Sequence, residues 1–197
     1  YGSLTADYRM YRQAGQNTLF QVETPAEKVA VPFSPGEKAL RPNTITIAIG
    51  GKSFKVLLDT GNATGWLVHS RDLNELLKPH TGGRTLTPIG SQDGLLDGYW
   101  QYYRTVDFNA FKIHHLTGIY VPKPHPDFPD ANFNPLLIRD RVITFDFVKN
   151  ELVLHSKEQW EKDLAALPVE KYSRLSWYGY KFPFVGVVLK GKAGLAM

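Results

Sequence analysis

The sequence predicts an all-β fold with two short helices, and three observations lead there. NTITIAI and SFKVLL, residues 43–49 and 53–58, alternate polar and apolar side chains on either side of a Gly-Gly-Lys turn. GYWQYYRTVDF and FKIHHLTGIYV, residues 98–108 and 111–121, are long runs with aromatic and β-branched faces. RVITFDF and ELVLH, residues 141–147 and 151–155, make a hairpin across Val148-Lys149-Asn150. Many short strands with few helices predict a barrel or a sandwich.

The remaining elements follow in chain order. Residues 1–40 carry Pro25, Pro32 and Pro35 without clear periodicity, so they read as an N-terminal extension or pro-like arm with one short strand at Thr18–Glu23. GWLVH, residues 65–69, is a short strand. Ser70 caps a short helix, RDLNELLK, which Pro79 ends. Residues 81–97, rich in Gly and Asp, read as loop, as does the Pro-rich KPHPDFPDANFNP at 123–135. Ser156 and Gln159 form a capping box for the second helix, KEQWEKDLAAL. Its Trp160 and Leu164 anchor it to its own sheet rather than to a membrane. The tail returns to strand texture in YKFPFVGVVL and AGLAM, around a turn at KGK.

Composition narrows the function. At 197 residues with 43% hydrophobic and 21% charged side chains, the chain can bury a sizeable core. No run approaches the roughly 18 apolar residues of a membrane span. The absence of Cys excludes disulfides and thiolate catalysis. The net charge of +4 comes from scattered Lys and Arg, which argues against a nucleic-acid stripe; YWQYY then reads as packing or a cleft wall rather than a base-stacking platform. The first residues, YGSLTADYRM, have neither an initiator Met nor an apolar signal, so the start reads as processed and leans towards an exported protein. GGKS at 50–53 has Thr46 where a phosphate loop needs its first Gly, and a strand follows it. His114 and His115 are expected on opposite faces of a strand, which suits a metal badly, so no metal and no cofactor are expected. NAT at 62–64 fits a glycosylation pattern but reads as accidental beside the loop described next.

VLLDTGNATGW, residues 56–66, carries the chemistry: two apolar residues lead into Asp59-Thr60-Gly61. It resembles the active loop of pepsin-like and retropepsin-like aspartic peptidases, in which a strand ends in hydrophobic-Asp-Thr/Ser-Gly. Trp66, seven residues after Asp59, stands where pepsin-like members carry a Trp. VDFNAFKIHHLTGIYV and VITFDFVKNELVL look like the later strand pairs of such a lobe, so the resemblance covers residues 43–155. It implies a pepsin/retropepsin-like barrel over residues 41–156, followed by a helical linker at 157–172 and strands at 173–197 that either open a second, similar lobe or form an ordinary closing hairpin. It also implies an aspartic endopeptidase acting on a peptide or protein substrate without a cofactor. Two aspartates share one proton and activate water, because two like charges that close cannot both ionise cheaply. Asp59 would be one of them, with Thr60 locking the loop through its hydroxyl and Gly61 admitting the partner backbone.

The sequence departs from the family in three places. Asn62 stands where Ala or Ser is usual. The hydrophobic-hydrophobic-Gly triplet expected beside the loop has no Gly after Leu136-Leu137, so either the lobe is abbreviated or residues are missing before Arg139. The flap should lie near LLDGYWQYY, where Tyr99 or Trp100 would cover a substrate, but no Gly-rich tip is recognisable. The second aspartate has no obvious candidate, since Asp93 and Asp97 read as turn residues and Asp146 as a solvent-facing strand residue. Aligning Gly51-Lys52 with Gly191-Lys192 sets Met197 opposite Leu57 and puts the counterpart of Asp59 two positions past Met197. The partner is therefore expected from a second lobe or from a second copy of the chain. The rival readings are a non-catalytic peptide- or protein-binding protein that keeps the fold and an inactive form with residues 1–40 in the cleft.

Overall fold

The computed structural model describes residues 21–35, 43–62, 64–88, 95–121, 128–138, 140–166, 185–189 and 192–196. Alternating burial builds the first hairpin: in β3 (Thr44–Ile49) and β4 (Lys52–Leu58), Ile45, Ile47, Phe54 and Val56 turn inward. Ile49 pairs with Lys52 across the Gly50-Gly51 turn. β4 runs parallel to β9 (Ala131–Phe133), which is antiparallel to β5 (Trp66–Val68). β5 in turn runs parallel to β8 (Lys112–Tyr120). β8 pairs antiparallel with β7 (Leu95–Asp107), and β7 with β6 (His80–Pro88).

Among the described residues the architecture is all-β with two short helices, and the expected closed barrel does not form. The pairing runs β3-β4-β9-β5-β8-β7-β6 as an open path whose end strands do not pair with each other. β6 at one end of the path pairs with β7 in a long hairpin and β3 at the other end pairs with β4, so the sheet does not close on itself among the described residues. Residues 81–88, expected as loop, are part of that hairpin, and Gly83 falls where its register shifts between Thr81 and Arg84. The tip between β6 and β7 lies outside the described residues.

Residues 21–35 of the expected arm are built into the sheets. β1 (Gln21–Glu23) adds to β8, and β2 (Lys28–Pro32) pairs with β11 (Glu151–His155), itself the partner of β10 (Val142–Asp146). Val22, Val31 and Phe33 thereby enter the main core. The expected hairpin across 148–150 closes with Asn150 at φ 57, and Asp146 accepts from the Val148 and Lys149 N–H groups at 3.0 Å. Ser70 caps α1 (Arg71–Leu77), its Oγ accepting from Leu73 N at 3.3 Å, and Ser156 Oγ accepts from Gln159 N at 3.1 Å to start α2 (Lys157–Ala165). Only half of the capping box forms, because the Gln159 amide donates to Asp163 at 2.7 Å while Ser156 N donates to Glu27 O at 2.6 Å. Trp160 packs edge-on against His155 of β11, 5.3 Å between centroids. β12 (Val185–Leu189) and β13 (Lys192–Ala196) form a separate hairpin in which Leu189 pairs with Lys192.

Trp66 sits at the centre of the main core with no exposure, edge-to-face with Tyr103, Phe108 and Phe133 at 6.3, 5.7 and 6.2 Å. Each such pair adds roughly 0.5–1.5 kcal/mol beyond burial. The period of two breaks at His115, whose φ is 59, so Ile113 and Leu116 both face this core although three residues apart. Among the described residues no helix is long and apolar enough to cross a membrane.

Candidate functional site

Because side chains alternate along a strand, β9 has one apolar face and one that is not. Ala131 and Phe133 join the main core; Asn132 points to the opposite side of the sheet, 6% exposed. Register places Asn132 between Leu57 of β4 and Leu67 of β5, and Leu67 opposite Ile119, which pairs with Trp100. Leu67, Ile119 and Val121, with Leu96, Trp100 and Phe128 packed on them, form a second and smaller apolar cluster. Asp59 follows β4 directly and turns its carboxylate to this second face, where Asn132 Nδ2 donates to its Oδ2 at 3.4 Å.

The loop around Asp59 is fixed from several sides. Asp59 N donates to Phe133 O at 2.9 Å, and Gly61 N donates to Asp59 Oδ1 at 3.0 Å. Asn62 N closes a turn onto Asp59 O at 3.1 Å. The Asn62 side chain folds back, its Oδ1 accepting from Thr64 N at 3.0 Å and Thr64 Oγ1 at 2.6 Å. Its Nδ2 is buried without a partner, so the residue that departs from the family pattern braces the loop and does not touch the carboxylate.

Asn134, 4% exposed, is the main brace. Its Nδ2 donates to Thr60 O at 3.2 Å and to Asn62 O at 3.1 Å, its backbone N donates to Gly65 O at 2.8 Å, and its Oδ1 accepts from Leu136 N at 3.0 Å. The loop is held here through the Thr60 carbonyl. Gly65 holds φ 83, and a Cβ there would stand 2.0 Å from Leu137 Cδ1. The segment beside the Asp59 loop is thus residues 131–134, and Leu136-Leu137, where the triplet was expected, belong to a 3-10 turn over Pro135–Leu137.

Tyr99 and Trp100 are consecutive on β7 and so face opposite ways. Trp100 lies on the Asp59 side with the smaller cluster, whereas Tyr99 pairs with Tyr120, which packs on the main core. Gly61 is exposed, and a Cβ there would meet only Asp59 Oδ1, at 3.3 Å. Of the other carboxylates, Asp97 is bound by Arg84 at 3.0 and 2.5 Å and Asp146 holds its turn; Asp93 lies outside the described residues. His114 bonds Glu23 and Thr105, both at 3.0 Å, while His115 bonds the Tyr102 hydroxyl. Among the described residues no three His, Asp or Glu side chains could hold a metal.

One titratable group near Asp59 is strongly perturbed. His69, 1% exposed, is pushed from 6.5 down to about 4 by burial, a shift that contact with the Asn132 amide and the charge of Asp130 only partly offset. Its imidazole is therefore neutral through mild acid, in edge contact with Phe128 at 5.3 Å. Sequence reasoning missed Asn132, Asn134 and His69 as parts of the site. A usable signal was the alternation Asp130-Ala131-Asn132-Phe133-Asn134, hidden between Pro129 and Pro135. Compared with protein-family models and with curated proteins, the chain matches none.

Proposed function

We propose that this chain supplies one catalytic carboxylate, Asp59, to an aspartic endopeptidase site. The observation that carries the reading is the seating of Asp59. It stands at the end of a central strand, both carboxylate oxygens accept N–H donors, and the loop is braced by Asn134. A carboxylate held that rigidly is suited to orienting a water for attack on a peptide carbonyl. The exposed Gly61 leaves room for a second loop of the same kind. A second lobe or a second copy of the chain provides the other aspartate, and the two divide one proton. The hairpins β3-β4 and β12-β13 support the two-lobe form, since Ile49↔Lys52 and Leu189↔Lys192 close them in the same register. The substrate is an extended peptide, bound as a strand over Asp59.

The second reading is a non-catalytic peptide-binding protein that keeps the loop. Asn62 favours it, because its side chain turns to Thr64 and leaves the carboxylate without the usual neighbour. Incubation of the protein with a denatured protein mixture at acid pH, with and without a statine-type inhibitor, separates the two. The peptidase reading expects cleavage that the inhibitor blocks and Asp59→Asn abolishes. Cleavage surviving that substitution would remove Asp59 from the mechanism, and peptide binding without cleavage would establish the second reading.

A further inference from the structure

A buried amide in a sheet costs free energy unless both of its ends are bonded. Asn132 is such a group, held at the middle of β9 by strands on both sides, so its side chain has little freedom to move away. Two buried atoms nearby have no hydrogen-bond partner: Asn132 Oδ1 and His69 Nε2. His69 directly follows β5 and its backbone N–H donates to Asp130 O at 2.8 Å, two residues before Asn132, so the two side chains stand on the same face of the β5–β9 pair. The orientation of the amide follows from Asp59. A carboxylate accepts hydrogen bonds, so the Asn132 Nδ2 end must face it, as it does at 3.4 Å. That leaves Oδ1 turned to the other side, where it needs a donor. A neutral imidazole protonated on Nε2 is that donor, with Nδ1 left bare.

We propose that His69 and Asn132 are positioning residues for Asp59: the His69 Nε2–H donates to Asn132 Oδ1, which fixes the amide so that its Nδ2 holds Asp59 Oδ2. This rests on Asp59 being a catalytic carboxylate, and it adds a supporting chain from β5 through β9 to the end of β4. Gly61 N fixes Oδ1 and the Asn132 amide fixes Oδ2, so the plane of the carboxylate is set by two donors from different elements. The tautomer of His69 is part of the device, because an imidazole protonated on Nδ1 would present a lone pair to the amide oxygen.

Kinetics on a peptide taken from the acid-pH cleavage products tests this. Asn132→Leu lowers kcat by about 30- to 100-fold with KM within about threefold, the pattern of a group that acts in the transition state. His69→Phe keeps the packing against Phe128 but removes the donor, and lowers kcat by roughly 10-fold; His69→Gln, which restores an N–H, recovers most of that loss. Equal kcat in His69→Phe and His69→Gln, or a loss confined to KM, overturns the proposal. A second measurement does not depend on activity: the Asn132 side-chain amide resonances in a nitrogen-15 NMR spectrum. Hydrogen bonding to the carboxylate shifts one amide proton downfield, and the shift collapses in Asp59→Ala and changes in His69→Phe. Amide resonances that ignore both substitutions overturn the chain whether or not the protein cleaves peptides. Absence of cleavage with the NMR response intact removes the peptidase reading and leaves the positioning chain standing.

Discussion

Lowering the pH across the range in which an acid peptidase would work loads a proton onto every unfolded histidine, and the folded chain resists it at His69. That imidazole has 1% exposure and a pKa of about 4 in the fold, against 6.5 when unburied. The folded value is depressed, so the unfolded chain binds the proton first. Stability from this group is complete above 6.5 and is lost as the pH falls towards 4. At roughly 1.4 kcal/mol per pKa unit, the gap of about 2.5 units sets the loss at about 3 kcal/mol. That is a large share of the roughly 5–15 kcal/mol holding an ordinary domain together. The assay is urea unfolding followed by tryptophan fluorescence, with Trp66 as a buried reporter, repeated at half-unit steps. Burial depresses His155 too, and partner cations depress Asp72 and Asp163, so the absolute slope mixes several groups. The difference between the native chain and His69→Phe isolates the one of interest, and it should shrink by about 3 kcal/mol between neutral pH and pH 4. A difference that stays constant across the window refutes the burial argument and the neutral imidazole with it.

Three further expectations rest on local geometry. Asn134→Ala removes two donors that hold the Thr60 and Asn62 carbonyls and should cost about 2 kcal/mol in a thermal or urea melt, with faster amide exchange confined to residues 59–65. Gly65→Ala forces a side chain into φ 83 and against Leu137 Cδ1 at 2.0 Å, for a loss on the order of 2–4 kcal/mol by the same melt. Gly118→Ala sets a Cβ 2.4 Å from the Trp66 carbonyl oxygen, which is backbone and cannot step aside; it should separate β5 from β8 and be read as a red shift in Trp66 emission.

Elements built from a single repeating pattern were legible in the sequence. β3 and β4 announce themselves by alternation and a glycine turn, α1 and α2 by a serine at each N-cap, and β10-β11 by two apolar runs about an Asn turn. That the sheet stays open could not be read that way, since closure depends on which edge strands meet, and local period carries no information about that. β6 escaped for a different reason. Its glycines, Gly82 and Gly83, weaken any propensity reading, and the strand exists because β7 supplies a long partner.

The site shows the same division more sharply. The Asp59 motif is legible because it is written in contiguous residues, whereas the side chains that bond its loop come from a segment about seventy positions later that two prolines disguise as loop. β9 has only three residues, too few for any periodic signal, and is stabilised by pairing with β4 on one side and β5 on the other. With that strand inserted, the place beside the Asp59 loop belongs to Asn132, Phe133 and Asn134, and Leu136-Leu137, where the triplet was expected, lie in a 3-10 turn. Both asparagines point at the loop, one to the carboxylate and one to the carbonyls behind it. Polar side chains at buried positions, here one in β9 and one at the cap of the turn that follows it, carry a desolvation cost that apolar ones would not. Their hydrogen bonds to the Asp59 loop offset that cost, which ties the choice of asparagine at these two positions to holding that carboxylate in place.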